Sequence, residues 1–350
     1  MIERLELAPG YSISRLVNGG WQLSAGHRPD ALDRQEVIRD LRRMVEGGLT
    51  TFDCADIYLG VEELLGELVR DLKKSSVSEE IQIHTKFVPD RSDLEAVDRP
   101  GVTRIIDRSL RRLGVERLDL VQFHWWDYEI PRYVEVAGWL VDLQRVGKIR
   151  LLGTTNFDTP RLRELVDSGF PVAAHQVQYS LLDRRPEAAM VDFCRENEIQ
   201  LLCYGSVAGG FISARYLGLP EPEEPLPNRS LTKYKLIIEE IGSWELFQEL
   251  LGALVGIGRK HRVSPTMVAV RWVLEQPQVA AVLLGTRNAA HLEQNLEVFG
   301  FRLDEEDQKV LSHILRQGSG PAGEPFALER DPEGPHAVIM KTDLNRAAKS

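Results

Sequence analysis

A chain of 350 residues is long enough for two average domains or for one large α/β barrel. Its 43% hydrophobic and 27% charged residues are ordinary for a globular protein. A net charge of −10 speaks against a non-specific nucleic-acid binder or a binder of anionic membranes, since both need a basic face, but leaves room for a local basic pocket for a phosphate.

Residues 3–15 read as two short strands around Ala8-Pro9-Gly10, a hairpin. The run Leu16–Trp21 is a strand ending in two glycines. Asp33 is a plausible N-cap for a helix to about Glu46, with Val37, Leu41, Met44 and Val45 as its apolar face. The strand TTFD (50–53) follows, then a helix over 61–72. The alternation continues with strands at 81–87, 118–124, 149–155, 172–179 and 199–204, and with helices near 101–113, 132–146, 160–168 and 187–197 between and after them. Residues 217–230 hold four prolines, can be neither helix nor central strand, and read with the rest of the long insertion after strand seven as a mobile cover. Helices are expected again at 232–240, 243–260, 265–276, 289–298 and 304–316, with a strand at 279–284. The tail from Gln317 is rich in Gly and Pro and reads as extended or partly disordered.

Eight strands alternating with helices imply a (β/α)8 TIM barrel, with a long loop after strand seven. The expected division is a barrel domain over 1–316 and a C-terminal extension over 317–350. A doubly wound open sheet is the rival, but Asn18-Gly19-Gly20 lacks the G-x-G-x-x-G spacing. Cys54, Cys194 and Cys203 have no metal-ligand spacing, which suggests free thiols in a reducing compartment and no metal site. The N-terminus carries no signal-peptide core, and no apolar run approaches the roughly 20 residues of a membrane span. The expectation is a cytoplasmic protein without membrane or nucleic-acid partners.

In a TIM barrel the functional residues sit at the C-terminal ends of the strands. Asp53, Lys86 and His124 close the second, third and fourth strands, and Tyr58 lies in the loop after the second. A lysine in a crowded barrel mouth needs an anionic partner, and Asp53 is on the neighbouring strand. The ammonium would lower the pKa of Tyr58, making it a general acid, while neutral His124 donates a hydrogen bond to a carbonyl oxygen. With no metal cluster and no flavin signature, the hydride is expected from a nicotinamide. Trp244, Phe247 and Leu251 read as core, and the charges of helix 101–113 (Arg104, Asp107, Arg108, Arg111, Arg112) as an exposed face.

The motifs FDCADIY, HTK, QFHWW, LGTTNF, HQVQYS, CYGSVAGGFIS, VAVRWVLEQP and LLGTRNAAHLEQNLE run in order from about residue 13 to 312, and together they resemble the aldo-keto reductase family. The resemblance implies that Tyr58 is the general acid, supported by Lys86 and Asp53, with His124 orienting the carbonyl. It implies that Asn156 and Gln176 hold the nicotinamide carboxamide, that Thr155 before them keeps a hydroxyl at the cofactor, that Tyr204 stacks on the nicotinamide ring and that Ser206 and the neighbouring backbone meet the pyrophosphate. Gly285, Arg287, His291, Gln294 and Asn295 would take the adenosine end, with Arg287 at a 2′-phosphate, so NADP(H) is preferred and NAD(H) possible. Gly19, Gly20 and Trp21 would line the pocket from the first strand, with Trp125 on the far wall. Two departures stand out: Thr155 replaces a common serine, and Val207 a common proline. The implied activity is reduction of aldehydes or ketones. The alternatives are a cofactor-binding regulatory subunit of the channel-associated type, or a sugar dehydrogenase working oxidatively. Substrate and oligomeric state stay open.

Overall fold

A computed structural model describes residues 2–27, 32–75 and 80–347. The chain begins with β1 (Arg4–Ala8), β2 (Tyr11–Ser14) and β3 (Leu16–Gly19), then α1 (Arg34–Glu46), β4 (Thr51–Asp53), α2 (Val61–Lys74) and β5 (Gln82–Phe87). It continues with α3 (Arg99–Leu113), β6 (Leu118–Phe123), α4 (Tyr133–Arg145), β7 (Ile149–Thr155), α5 (Thr159–Asp167) and β8 (Val172–Gln178). Next come α6 (Met190–Glu196), β9 (Gln200–Tyr204), α7 (Arg229–Ile241), α8 (Trp244–His261), α9 (Pro265–Leu274) and β10 (Val279–Gly285). The last helices are α10 (Leu292–Leu296), α11 (Glu305–Leu315) and the short α12 (Ala327–Arg330), α13 (Pro335–Val338) and α14 (Leu344–Ala347).

Strands β3 to β10 pair in parallel and close on themselves in the order β10-β3-β4-β5-β6-β7-β8-β9. The TIM barrel expected from alternation is therefore present, and its eight strands match the expected runs within a few residues. The antiparallel hairpin β1–β2 plugs the floor: Leu7, Tyr11 and Ile13 pack with the inward-facing Val17, Leu120, Ala174, Leu202 and Leu283. Outward-facing side chains such as Val121, Phe123 and Trp125 meet the helical layer instead. Helix starts follow local chemistry. The Asp33 carboxylate accepts from the N–H groups of Gln35 (2.9 Å) and Glu36 (3.1 Å) at the head of α1, and Ser243 and Ser264 cap α8 and α9. Gly66 lets α2 and α3 touch backbone to backbone, since a Cβ there would lie 2.3 Å from the Arg112 carbonyl oxygen. Among the described residues no helix is long and apolar enough to cross a membrane.

Three expectations give way. Helix α3 does not present all its charges to solvent: Arg108 reaches the fully buried Asp56 (3.5 Å) and Arg112 the buried Glu62 (3.2 Å), both rooted beside β4. The stretch after β9 is tied down, because Trp244 donates to the Leu219 carbonyl (2.9 Å), Gln248 to that of Tyr216 (3.0 Å), and Lys235 pairs with Glu221 (2.5 Å). The tail is folded rather than extended. It leaves the end of α7, where the Ser319 N–H donates to the Ile241 carbonyl (3.1 Å), and reaches α5, where the Glu324 carboxylate accepts from the Thr159 N–H (2.9 Å) and hydroxyl (2.7 Å). It then crosses the mouth of the barrel, Lys341 donating to the Gly26 carbonyl (2.6 Å), and ends where Asn345 bonds Asp90 (2.9 Å) and the Val88 carbonyl (2.9 Å). Phe326, Glu329, His336 and Leu344 are buried along the way.

Candidate active site

The C-terminal ends of the strands open into a cavity of about 1030 Å³. Its floor is polar because four strands each bring one polar side chain to the same layer. Asp53 and Lys86 are 3% and 5% exposed, and the lysine Nζ donates to the Asp53 carboxylate at 2.5 Å and to the Cys54 carbonyl at 2.9 Å. The other carboxylate oxygen accepts from the amides of Gln122 (3.1 Å) and Gln176 (2.7 Å). A buried ion pair is tolerable when its remaining hydrogen-bonding capacity is filled, as here. Gln122 escaped the sequence reading, although a glutamine inside the apolar run LDLVQF was the available signal.

Lys86 Nζ lies 5.1 Å from the centroid of the Tyr58 ring, which Trp21 flanks at 5.0 Å. The ammonium pulls the Tyr58 pKa down, as expected, but burial pushes harder, and the hydroxyl stays above its ordinary value. Lys86 itself is held above its ordinary value because Asp53 and Tyr58 outweigh the cost of burial.

His124 is neutral. Burial, first, and then the positive charges of Arg330 and Lys86 lower its pKa to about 3. Its Nδ1 faces the Thr155 carbonyl at 3.1 Å, while Nε2 has no partner among the described residues. A carbonyl only accepts, so the ring hydrogen sits on Nδ1 and Nε2 carries a lone pair. This differs from the expected donor: the imidazole offers the cavity an acceptor.

Trp125 does not line the cavity, and the pleat explains why. Successive residues point to opposite faces, so Gln122 and His124 face inward while Phe123 and Trp125 face the helices. Trp125 is fully buried there, its indole N–H shared by the carbonyls of Asp127 and Ile130 (both 2.9 Å). Trp126 takes the wall position instead, edge-on to the His124 ring at 4.3 Å.

Of the residues expected around a dinucleotide, Gly19, Trp21, Thr155, Asn156, Gln176, Tyr204, Gly285, Arg287, His291, Gln294 and Asn295 all line the cavity. Asn156 adopts a left-handed φ of 60°, which asparagine tolerates, and its side-chain oxygen accepts from the Tyr204 hydroxyl at 2.8 Å. Two residues do not line it. Gly20 is instead a close approach, since a Cβ would lie 2.8 Å from both the Asp53 carbonyl oxygen and Val61. Ser206 is buried beneath Gly205 and Val207, which line the cavity in its place. The composition of the wall suits an anion: among the described residues Lys86, Arg215, Arg229, Lys233, Arg287 and Lys341 line it, against the single carboxylate of Asp53. Several of these, together with Phe326, Met340 and Leu344, come from the insertion and the tail, where the sequence carried no signal for them.

Comparison with known proteins fits this geometry. A family model described as "Aldo/keto reductase family" matches residues 15–316. The chain is 28% identical to aldo-keto reductase YhdN of Bacillus subtilis over 91% of its own length and 95% of the relative's. It is 27% identical to aldo-keto reductase yakc [NADP(+)] of Schizosaccharomyces pombe, over 83% and 84% of the two chains. Among solved structures it is similar to the thermostable aldo-keto reductase Tm1743 in complex with the inhibitor epalrestat, with a TM-score of 0.69 and 26% identity over 90% and 99% of the chains. The glycerol dehydrogenase of Gluconobacter oxydans shares the fold, with a TM-score of 0.75, 24% identity and coverage of 92% and 98%.

Proposed function

Because the chain belongs to the aldo/keto reductase family, we propose that it is an NADP(H)-dependent oxidoreductase that reduces an aldehyde or ketone, with Tyr58 as proton donor. The observation that carries this reading is the convergence of Tyr58, Lys86, Asp53 and His124 on one cavity also lined by the residues suited to a dinucleotide. The cations of that cavity fit the phosphates, with Arg287 toward a 2′-phosphate. Asn156 has its oxygen engaged by Tyr204, which leaves the amide N–H of that side chain to donate to a carboxamide oxygen. When bound, the nicotinamide supplies the hydride.

Tyr58 donates from its hydroxyl to the carbonyl oxygen and passes the proton as negative charge develops there. Its raised pKa is no obstacle: an alkoxide is a far stronger base than a phenolate, its conjugate acid lying near the value of about 15.7 for bulk water. Lys86 stabilises the phenolate left behind, and Asp53 keeps the ammonium in place. His124 Nε2 accepts from the hydroxyl of the alcohol product.

That last contact favours one second reading, oxidation of an alcohol, because an acceptor Nε2 suits a hydroxyl ligand in either direction. Initial rates with NADP+ and a panel of alcohols and aldoses, against rates with NADPH and aldehydes, separate the two. The test of the main reading is Tyr58→Phe, expected to lower kcat for NADPH-dependent reduction of an aromatic aldehyde by about 10²–10⁴-fold. NADPH binding by fluorescence should be unchanged, and turnover equal to wild type would remove Tyr58 from the chemistry.

A further inference from the structure

The turn that starts α12 is the part of the cavity wall least anticipated by the sequence. Phe326 holds a left-handed φ of 65°, a strained conformation for a residue with a Cβ. Its ring is buried edge-on to His124 at 5.6 Å. Backbone strain at a ligand cavity persists only where the surroundings over-determine it, and here they do. Glu324 is bonded to the head of α5, the Glu329 carboxylate pairs with Lys233 (2.9 Å) and stands 4.0 Å from Arg185, and Arg185 also donates to the Glu324 carbonyl (3.3 Å).

What this anchored turn delivers is the guanidinium of Arg330. Nη2 donates to the Trp125 carbonyl at 2.8 Å and Nε to the Trp126 carbonyl at 3.2 Å. Its Cζ lies over the Tyr128 ring, 4.2 Å from the centroid, and over that of Phe326 at 5.0 Å. The two carbonyls belong to the residues directly after His124, whose N–H makes the last bond to β5, 3.0 Å to the Phe87 carbonyl. Beyond that bond the sheet no longer fixes the chain, and buried carbonyls need another donor. A rigid fork that satisfies two consecutive carbonyls is a task for arginine rather than lysine.

We propose that Arg330 is a positioning residue for the carbonyl reaction, clamping the backbone after His124 so that the imidazole stays on Thr155 with Nε2 toward the substrate. The role rests on the reductase reading of the site, and it makes the C-terminal tail part of the catalytic apparatus. The test pairs Arg330→Met with Arg330→Lys, each measured with NADPH and benzaldehyde. Arg330→Met should lower kcat by about 10–100-fold, the scale of a misplacement of about 1 Å, with KM for NADPH within about two-fold of wild type. Arg330→Lys, which can reach one carbonyl but not both, should fall between Arg330→Met and wild type. Wild-type kcat in either variant once folded overturns the proposal.

A second measurement does not depend on turnover. The His124 imidazole resonances in ¹⁵N-histidine-labelled protein, assigned by their loss in His124→Asn, should shift or broaden in both Arg330 variants. Unchanged resonances overturn the proposal even if activity falls. A wild-type enzyme inert with every aldehyde would instead sink the reductase reading, and the resonances would still decide the clamp.

Discussion

At the scale of single residues, the site is organised by one carboxylate. Asp53 accepts from Lys86, Gln122 and Gln176 at once, so three strands are registered on it. The ionisable groups around it are spread far from neutrality: His124 is pushed down to about 3, and Tyr58 and Lys86 both lie above their ordinary values. The sign of the pH dependence follows. If Tyr58 is the proton donor, reduction needs the protonated phenol, so kcat should be flat from about pH 6 to 9 and fall only above the ordinary tyrosine value of about 10. Oxidation needs the phenolate and should rise with pH over the same range. Rate–pH profiles in both directions check this, and a break near pH 6–7 that disappears in His124→Asn would show that the imidazole titrates after all.

At the scale of elements, the two tryptophans after β6 separate packing from function. Trp125→Ala removes a fully buried indole on the helical side and should cost about 3–5 kcal/mol in denaturation. Trp126→Ala opens the wall beside His124 and should raise KM for aromatic aldehydes while costing less stability. If the two variants exchange these effects, the pleat argument is wrong. The barrel strands were legible because each is an apolar run ending in a polar residue or glycine, and Asp53, Lys86 and His124 stood at those ends. Trp125 and Trp126 could not be told apart without knowing where the strand stops alternating. Gly20 carried a glycine's usual ambiguity between ligand contact and close packing, and only the 2.8 Å approach to Asp53 resolved it. The tail was illegible for a different reason. Its order comes from tertiary partners such as Thr159, Arg185 and Asp90, and a composition rich in Gly and Pro does not reveal partners that lie 139 to 255 residues away.

At the scale of the whole molecule, a chain with net charge −10 carries a cavity lined by Lys86, Arg215, Arg229, Lys233, Arg287 and Lys341. An acidic exterior around a cationic opening focuses an anionic ligand into it and repels the same ligand elsewhere. If Arg287 meets a 2′-phosphate, Arg287→Ala should weaken NADPH binding by about 10–100-fold, the range of a charge-assisted hydrogen bond. The dissociation constant for NADH should change little. Fluorescence titration of both cofactors reads the difference, and equal weakening would move Arg287 away from the 2′ position.

The path of the tail has a consequence for how the protein comes into being and how it is handled. Residues 324–345 are translated after all eight barrel strands, yet they supply Phe326, Met340, Lys341 and Leu344 around the mouth. A nascent chain can thus complete its scaffold before the wall of its cavity is closed. The same asymmetry bears on fusions: an affinity handle joined ahead of the hairpin sits under the barrel floor, whereas one joined beyond Asn345 hangs beside the entrance.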